Sequence, residues 1–311
     1  MRAFLFPGQG SQAIGMGVAL AEASRVARDT LAEVDEALGQ NLSRLMREGP
    51  EDDLKLTENA QPAIMANALA VFAALKECGV ELTKAAGFVG GHSLGEYSAL
   101  CAAGTFDLAT TARLLKLRGR AMQAAVPVGV GAMAALLGAD VELARRIAEA
   151  SAKGEVCTVA NDNDPSQVVL SGHKGAIDRA VEMAKEMGAK RAVILPVSAP
   201  FHCPLMQPAA DAMAEALAET ELKGPIVPVF ANVTASAERD PDTIRGLLIE
   251  QVTAMVRWRE SVAAMAEAGV EEFVELGGKV LGPMVKRIAP EARVISVVTM
   301  ADVEALAKGI V

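Results

Sequence analysis

The chain has 311 residues, of which 51% are hydrophobic and 22% are charged, so it can form one large domain or two unequal ones and is not composed like a disordered protein. Its formal net charge of −9 argues against general nucleic-acid binding, and 3% aromatic residues leave no surface for stacking bases. The four cysteines are scattered without a Cys-x-x-Cys pair, which argues against a disulfide framework or a zinc site and favours a cytoplasmic enzyme.

No stretch of the sequence predicts a membrane segment. The apolar run at residues 1–6 ends at Pro7 and is too short for the core of a signal peptide. The longest apolar stretch, residues 63–75, is interrupted by Asn67 and is shorter than the roughly 18 residues that cross a bilayer. We therefore expect a soluble protein.

The chain begins with a predicted buried strand at residues 3–6, which leads into a glycine-rich loop at residues 7–12. The loop has neither a following Gly-Lys-Ser/Thr nor the G-x-G-x-x-G spacing, so it is a weak candidate for binding nucleotide phosphates. Its glycines would let the backbone approach another segment closely. Two helices are predicted next, one over residues 19–38 and a nearly apolar, buried one over residues 63–78.

The most informative motif is GHSLG at residues 91–95, a G-x-S-x-G arrangement. Residues 86–89 predict a strand before it and residues 96–103 a helix after it, which is the setting of a nucleophile on a sharp turn. Such a turn would expose the Oγ atom of Ser93 at a helix N-terminus, with the N–H of Leu94 as an oxyanion donor. The alternative is a glycine-rich turn that contains a serine by coincidence.

The helix predicted from about residue 107 to 124, with Asp107 as its N-cap, carries an arginine on its apolar stripe. Arg118 lies four residues after Leu114 and four before Met122. Beyond Asp107 the helix has no acid, so a buried Arg118 would need an anion from elsewhere; alternatively, the helix is rotated and the side chain reaches solvent. Three cations share one face, as expected of solvated charges: Arg113, Lys116 and Arg120.

Residues 129–196 predict a small inserted domain, because their elements follow the order βαββαβ of the ferredoxin-like unit. The chain on both sides, residues 1–128 and 197–311, continues the alternation of strands and helices that is typical of a parallel sheet. The predicted elements of the insert are a strand at 131–137, a helix at 141–151, strands at 156–160 and 167–171, a helix at 173–187 and a strand at 191–195.

The sequence has three histidines that could act as a base. His173 opens a helix and is most simply a surface or cap residue, and His92 is adjacent to Ser93, where a structural or pocket-lining role is favoured. His202, in a loop between two prolines, is therefore the best general base for Ser93. The neighbouring Cys203 is expected to be an inert thiol.

In the C-terminal part, no aspartate or glutamate stands out by its position as the third member of a catalytic triad. A predicted helix at residues 243–256 carries Gln251, and strands are predicted at residues 227–231, 272–275 and 294–298. The base would have to be oriented by a backbone carbonyl or an amide, or work with the serine as a dyad.

Together these stretches resemble the malonyl-CoA:acyl-carrier-protein transacylases over the whole length of the chain. The resemblance rests on several motifs at once, and G-x-S-x-G alone would leave hydrolases open. The matching segments are FPGQGSQ at 6–12, Thr57 with QPA at 61–63, GHSLGE at 91–96, RGR at 118–120 with Met122, GAMA at 131–134, Asn161 with Pro165, QVV at 167–169, and PVS at 196–198 with His202.

The resemblance implies an α/β fold: an α/β-hydrolase-like large domain with a parallel sheet and the ferredoxin-like insert. It also implies a catalytic set in which Ser93 is the nucleophile and His202 the base, oriented by the main-chain carbonyl of Gln251. The backbone N–H groups of Gln9 and Leu94 match the oxyanion hole.

For the substrate, the resemblance implies that Arg118 holds the free carboxylate of malonate, for which its planar fork is suited. Met122, His92 and Asn161 are further candidate substrate-binding residues. Phe201 resembles the residue of malonyl-selecting acyltransferase domains, where a bulky ring excludes a methyl branch, although related bacterial transacylases often have serine there.

The expected reaction is a ping-pong transfer of malonyl from malonyl-CoA to the phosphopantetheine thiol of acyl carrier protein, through a malonyl-serine and without a metal or other cofactor. The expected enzyme is a cytoplasmic monomer. Since the carrier protein is acidic, the pairs at 190–191 and 286–287 are candidates for its docking, or are ordinary surface charge. The alternatives are a serine hydrolase or thioesterase, a polyketide-pathway acyltransferase, or a non-catalytic docking module.

Overall fold

Two β-sheets organise the fold of the computed structural model, which describes residues 1–310. The larger sheet has six strands in the order β10-β9-β1-β2-β7-β8, and all of its pairs are parallel except the antiparallel β7-β8 pair. Its strands are β1 (Arg2–Phe6), β2 (Phe88–Gly91), β7 (Val229–Ala231), β8 (Ser236–Glu238), β9 (Glu272–Leu276) and β10 (Arg293–Val297).

The register of the central strands places two sequence motifs side by side. Phe6 at the end of β1 pairs with Gly91 at the end of β2. Because both strands are parallel, the glycine-rich loop after β1 and the serine turn after β2 leave the same edge of the sheet. Ligand sites in parallel sheets commonly lie at this edge.

The smaller sheet is antiparallel, in the order β4-β5-β3-β6. Its strands are β3 (Gly131–Leu137), β4 (Cys157–Asp164), β5 (Gln167–His173) and β6 (Arg191–Ile194), and helices α9 (Val141–Ala152) and α10 (Lys174–Ala184) share a separate core with it. β4 runs four residues further than predicted. Its end forms a parallel bridge between Asn161 and Val256, which joins the small sheet to the rest of the molecule.

The remaining helices surround the larger sheet. They are α1 (Val18–Ala23), α2 (Arg25–Leu38), α3 (Leu42–Glu48), α4 (Glu51–Lys55), α5 (Thr57–Glu77), α6 (Leu82–Ala85), α7 (Gly95–Ala102), α8 (Leu108–Ala124), α11 (Gln207–Ala218), α12 (Pro241–Glu250), α13 (Trp258–Glu267), α14 (Gly282–Ile288) and α15 (Met300–Lys308). No helix within residues 1–310 is long and apolar enough to cross a membrane.

Three helices differ from their predicted bounds by more than three residues at one end or are divided. The single helix predicted at 19–38 is wrong, because Ser24 is extended and its Oγ atom accepts the N–H of Ala27 as the N-cap of α2. α5 begins at Thr57, six residues before the prediction, and is buried along most of its length as predicted. α12 ends at Glu250 instead of residue 256, which leaves Gln251 at its C-cap.

Candidate active site

The turn between β2 and α7 has the backbone geometry that the GHSLG motif predicts. Ser93 has a φ of 53°, in the left-handed region that a side chain seldom adopts. A Cβ atom on Gly91 would lie 1.9 Å from the carbonyl oxygen of Gly95, and one on Gly95 would lie 2.2 Å from that of Phe6. Both flanking positions therefore require glycine.

The glycine-rich loop after β1 lies against this turn. A Cβ atom on Gly8 would lie 2.6 Å from the carbonyl oxygen of His92, so the predicted close approach of the loop backbone is present. Gln9 lines the same cavity as Ser93 and Leu94. Within residues 1–310, the backbone N–H groups of Gln9 and Leu94 donate no hydrogen bond to the protein. Both N–H groups are therefore free to bind a ligand atom.

Ser93, His202 and Gln251 form a hydrogen-bonded chain. Nε2 of His202 lies 2.8 Å from Oγ of Ser93, and Nδ1 lies 2.8 Å from the main-chain oxygen of Gln251. A carbonyl oxygen can only accept, so Nδ1 carries the proton and Nε2 presents its lone pair to the serine hydroxyl. Burial, followed by the charge of Arg118, lowers the pKa of His202 to about 3, so the imidazole is neutral at pH 7.

Arg118 lies inside the protein and points at the serine. Arg118 is 1% exposed, which excludes the alternative that its side chain reaches solvent. Its Nη1 atom donates to Oε1 of Gln61 at 2.8 Å, and its Nη2 atom donates to Oε1 of Gln251 at 3.0 Å and to Oγ of Ser93 at 3.3 Å. No carboxylate within residues 1–310 forms a salt bridge with it, and its Nε atom has no partner there. The guanidinium is held by neutral oxygens.

A second group of polar side chains supports the turn from behind. Asn232 accepts the N–H of Ser93 at 2.7 Å and donates to the carbonyl of Gly91 at 2.7 Å. Oε2 of Glu96 accepts the N–H of Asn232 at 3.0 Å and the side-chain amide of Gln251 at 2.7 Å. Burial raises the pKa of Glu96 to about 7, against the lowering effect of these hydrogen bonds.

The other predicted substrate-binding residues line one cavity of about 320 Å³ together with Ser93, His202 and Arg118: they are Met122, His92, Asn161 and Phe201. Nε2 of His92 lies 2.8 Å from Oδ1 of Asn163 on β4, so the histidine bridges the two sheets. Gln251 is fully buried beside the cavity. The structure thus brings all ten predicted site residues to one place.

Two residues that the sequence argued against lie outside this cluster. Sγ of Cys203 donates to the carbonyl of Pro200 at 3.1 Å, and burial raises its thiol pKa. Nδ1 of His173 accepts the N–H of Val156 in the small sheet.

Lys116 was expected on a solvated face but is buried, with its Nζ atom 2.8 Å from Oδ1 of Asn59 and 3.2 Å from a carboxylate oxygen of Glu58. That expectation was wrong because α5 covers this side of α8.

Four polar residues of the site were not predicted from the sequence: Gln61, Glu96, Asn163 and Asn232. Glu96 had a usable signal, since it is the one charged residue in the apolar α7 and a helix buried on all sides makes any acid in it buried. The two asparagines had none, because contacts across 71 and 139 positions of the chain bring them to the turn. No cluster of metal-binding side chains occurs in the described part of the chain, residues 1–310.

Comparison with known proteins places the chain in a family. Residues 3–280 match the acyl transferase domain family. The malonyl CoA-acyl carrier protein transacylase of Escherichia coli K12 is 45% identical over 287 residues, which are 92% of each chain. An acyl-carrier-protein-S-malonyltransferase from Bartonella henselae superposes with a TM-score of 0.97 at 51% identity over 99% of both chains.

A malonyl-transacylase solved in complex with a type II PKS acyl-carrier protein is 40% identical, with a TM-score of 0.96 over 99% of both chains. These matches span nearly the whole chain and all of its site residues. The chain therefore belongs to the acyl transferase domain family and, within it, to the malonyl CoA-acyl carrier protein transacylases.

Proposed function

We propose that the protein transfers a malonyl group from malonyl-CoA to the phosphopantetheine thiol of acyl carrier protein, in support of fatty-acid elongation. The observation that carries this proposal is the position of the Ser93 hydroxyl. It lies 2.8 Å from a neutral imidazole and 3.3 Å from a buried guanidinium that no carboxylate of residues 1–310 contacts. A nucleophile next to an unpaired cation suits an acyl group that carries its own carboxylate.

In the first half-reaction, Oγ of Ser93 attacks the thioester carbonyl carbon while Nε2 of His202 takes its proton. The oxyanion accepts hydrogen bonds from the free backbone N–H groups of Gln9 and Leu94. His202, held by the main-chain oxygen of Gln251, stays aligned and returns the proton to the leaving CoA thiolate. In the second half-reaction, His202 takes the proton of the phosphopantetheine thiol, and the sulfur attacks the malonyl-serine ester. The bond between the acyl carbon and Oγ of Ser93 then breaks, and His202 returns the proton to Oγ.

Arg118 would hold the malonyl carboxylate close to the reacting carbon with two of its donors. Met122, His92, Asn161 and Phe201 would form the walls around the acyl chain, and the ring of Phe201 would disfavour a branch at the malonyl carbon. Fixing the acyl group in one pose also protects the ester from water. The chemistry needs no metal or organic cofactor.

The fold supports a finer division of the chain. We propose that residues 129–196 form a ferredoxin-like domain inserted into a hydrolase-like catalytic domain of residues 1–128 and 197–311. The order βαββαβ and the antiparallel order β4-β5-β3-β6 support the first part, and the serine turn at the edge of a parallel sheet supports the second. We also propose a cytoplasmic monomer whose macromolecular partner is the carrier protein.

Intact-mass measurement tests this function. Wild-type protein incubated with malonyl-CoA should gain one malonyl group, and the Ser93→Ala variant should gain none. Addition of holo acyl carrier protein should then discharge the adduct and yield malonyl carrier protein. An adduct on the Ser93→Ala protein would refute the assignment of the nucleophile.

The main rival is a serine hydrolase or thioesterase that uses the same turn. A hydrolase would release CoA and free malonate continuously without carrier protein, whereas a transferase should stop after one equivalent. The non-catalytic docking module predicts no adduct at all. Discharge by carrier proteins of the fatty-acid and polyketide types, compared side by side, would separate the two pathways.

A further inference from the structure

Glu96 is a buried acid that the proposed mechanism does not use. It lies in the first turn of α7, three residues after Ser93, and is 2% exposed. Its Oε2 atom accepts hydrogen bonds from the N–H of Asn232 and the side-chain amide of Gln251. A position in the first turn of a helix favours a carboxylate, whereas burial opposes its charge.

The amide of Gln251 connects this acid to the cation of the cavity. Because the carboxylate accepts the amide N–H, the amide oxygen faces the other way and accepts Nη2 of Arg118 at 3.0 Å. Glu96 and Arg118 are thus separated by one amide group. Burial raises the pKa of Glu96 and lowers the pKa of Arg118, and the charge of each residue opposes the shift of the other.

Few other charges act at this position. From α8 the charged neighbour is Arg118. From α7 itself the titratable neighbour is Tyr97, which is uncharged because burial raises its pKa. From the loop before α11, His202 is neutral at pH 7. The elements α5 and α12 and the turn after β7 contribute the neutral amides already described. Only the pair of Glu96 and Arg118 therefore decides the local charge balance.

A bound malonyl group upsets that balance, because it adds a second buried anion next to a single cation. One guanidinium cannot fully offset two carboxylates where it and one of the acids are buried, and a like charge nearby favours the protonated form of an acid. We propose that Glu96 takes up one proton from solvent when the malonyl carboxylate binds Arg118, so that Glu96 sets how strongly the site prefers an acyl group with a carboxylate over a neutral one. This inference rests on the proposed function, since it requires malonyl at Arg118.

The first test measures the ratio of kcat/KM for malonyl-CoA to kcat/KM for acetyl-CoA as a function of pH. The ratio cancels the titration of His202 and of the CoA thiol, which both substrates share. Because Glu96 titrates near pH 7, the ratio should fall about tenfold from pH 6 to pH 8 in the wild type. In the Glu96→Gln variant, which keeps the shape but cannot ionise, the ratio should not change with pH.

The matched control is Glu58→Gln. Glu58 pairs with Lys116 and Arg120 of α8, the helix that carries Arg118, but makes no bond to Arg118 itself. Its variant removes a carboxylate next to the same helix and should keep the pH dependence of the wild type. A pH-independent ratio in the wild type, or an unchanged slope in the Glu96→Gln variant, would overturn the inference.

A second test needs no variant, so a misfolded Glu96→Gln protein would not end the matter. Loading of malonyl onto Ser93 releases CoA with the serine proton, so the reaction itself is balanced and any uptake comes from the protein. In weakly buffered solution with an indicator dye, loading at pH 7 should consume about half a proton per site, with a maximum above pH 7. Acetyl loading is the reference and should consume none.

Intact mass, measured on the same samples, separates the two hypotheses. If malonyl-serine forms without proton uptake, the inference about Glu96 is wrong and the proposed function stands. If no malonyl-serine forms, the proposed function itself fails.

Discussion

Arg118 in the cavity and Asp162 in the small sheet are both buried charges, yet their surroundings differ. Asp162 on β4 is bound by Arg259 of α13, whose Nε and Nη2 atoms lie 2.9 and 2.8 Å from Oδ2. Arg118 is bound by two amide oxygens and a hydroxyl, and no carboxylate of residues 1–310 contacts it. The buried charge of Asp162 forms an ion pair, whereas the buried charge of Arg118 has no counter-ion in direct contact within residues 1–310.

The difference separates structural charge from functional charge. A paired buried ion fixes two elements relative to each other, and the protein loses stability when one partner is removed. A buried ion that no counter-ion contacts is costly in the empty protein, and a ligand of opposite charge that contacts it removes part of this cost. Substitutions at the two places should therefore act on different quantities.

The largest expected effect is that of Arg118→Met on activity. Without the guanidinium, kcat/KM for malonyl-CoA should fall roughly 10³-fold, as expected for the loss of a buried charge-assisted pair of hydrogen bonds. The free energy of unfolding should fall by only about 1 kcal/mol, because the amide oxygens of Gln61 and Gln251 lose a donor, while Glu96 can stay neutral by binding a proton when the cation is gone. Steady-state kinetics and urea unfolding measure the two quantities.

Acetyl-CoA is the control for this variant, since it has no carboxylate to lose. Its kcat/KM should be unchanged or higher in Arg118→Met. An equal loss for both acyl groups would mean that Arg118 supports the serine turn and does not select the substrate.

The converse variant is Arg259→Ala, which leaves Asp162 buried without its cation. The free energy of unfolding should fall by about 2 kcal/mol, less than for a fully buried pair because the Arg259 side chain is 31% exposed. The kcat/KM of the folded enzyme should change less than that of Arg118→Met. The double variant with Asp162→Asn should recover part of the stability, and a further loss in the double variant would contradict the account.

Much of the fold was predictable because it depends on local patterns. The strands at 3–6 and 131–137 and the helix after Asp107 follow from periodicity and capping, and the turn at Ser93 follows from the glycines that its crowding demands. The break at Ser24 was not predicted, because the apolar face of residues 19–38 continues on both sides of it. Hydrophobic periodicity alone does not reveal an N-cap that lies within a continuous apolar stripe.

Of the candidate site, the sequence predicted the side chains that face the cavity but not those that support them from behind. Ser93, His202 and Arg118 stand out by residue type and by their position on a turn, in a loop and on an apolar stripe. The layer behind them depends on β4, β7 and the end of α12 meeting at one point, and the sequence carries no local signal for such long-range contacts. The side chain of Gln251 is an example: its main-chain oxygen was expected to orient His202, but its amide also joins Glu96 to Arg118.

The charge of Arg118 should also be detectable as a lowered pKa of His202. Burial and the charge of Arg118 hold the pKa of His202 near 3, so its ring should stay neutral as the pH falls from 8 to 5, where an ordinary histidine gains a proton. In Arg118→Gln the repulsion is gone, and the pKa should rise. NMR titration of the imidazole measures both, and an identical curve for the two proteins would mean that burial alone sets the pKa.

The smallest expected effect is that of Arg287→Ala, at the second ion pair between β4 and the larger part of the molecule. Arg287 binds Asp164 at 2.7 Å, but its side chain is 44% exposed, and Asp164 also accepts the N–H and Oγ of Ser166. Since the acid keeps these two donors, the free energy of unfolding should fall by less than about 1 kcal/mol, measurably less than for Arg259→Ala. Equal losses would mean that exposure of the cation does not set the strength of these pairs.

The same variant tests docking, because a role for Arg287 in binding an acidic carrier protein requires a higher KM for that protein with unchanged loading from malonyl-CoA.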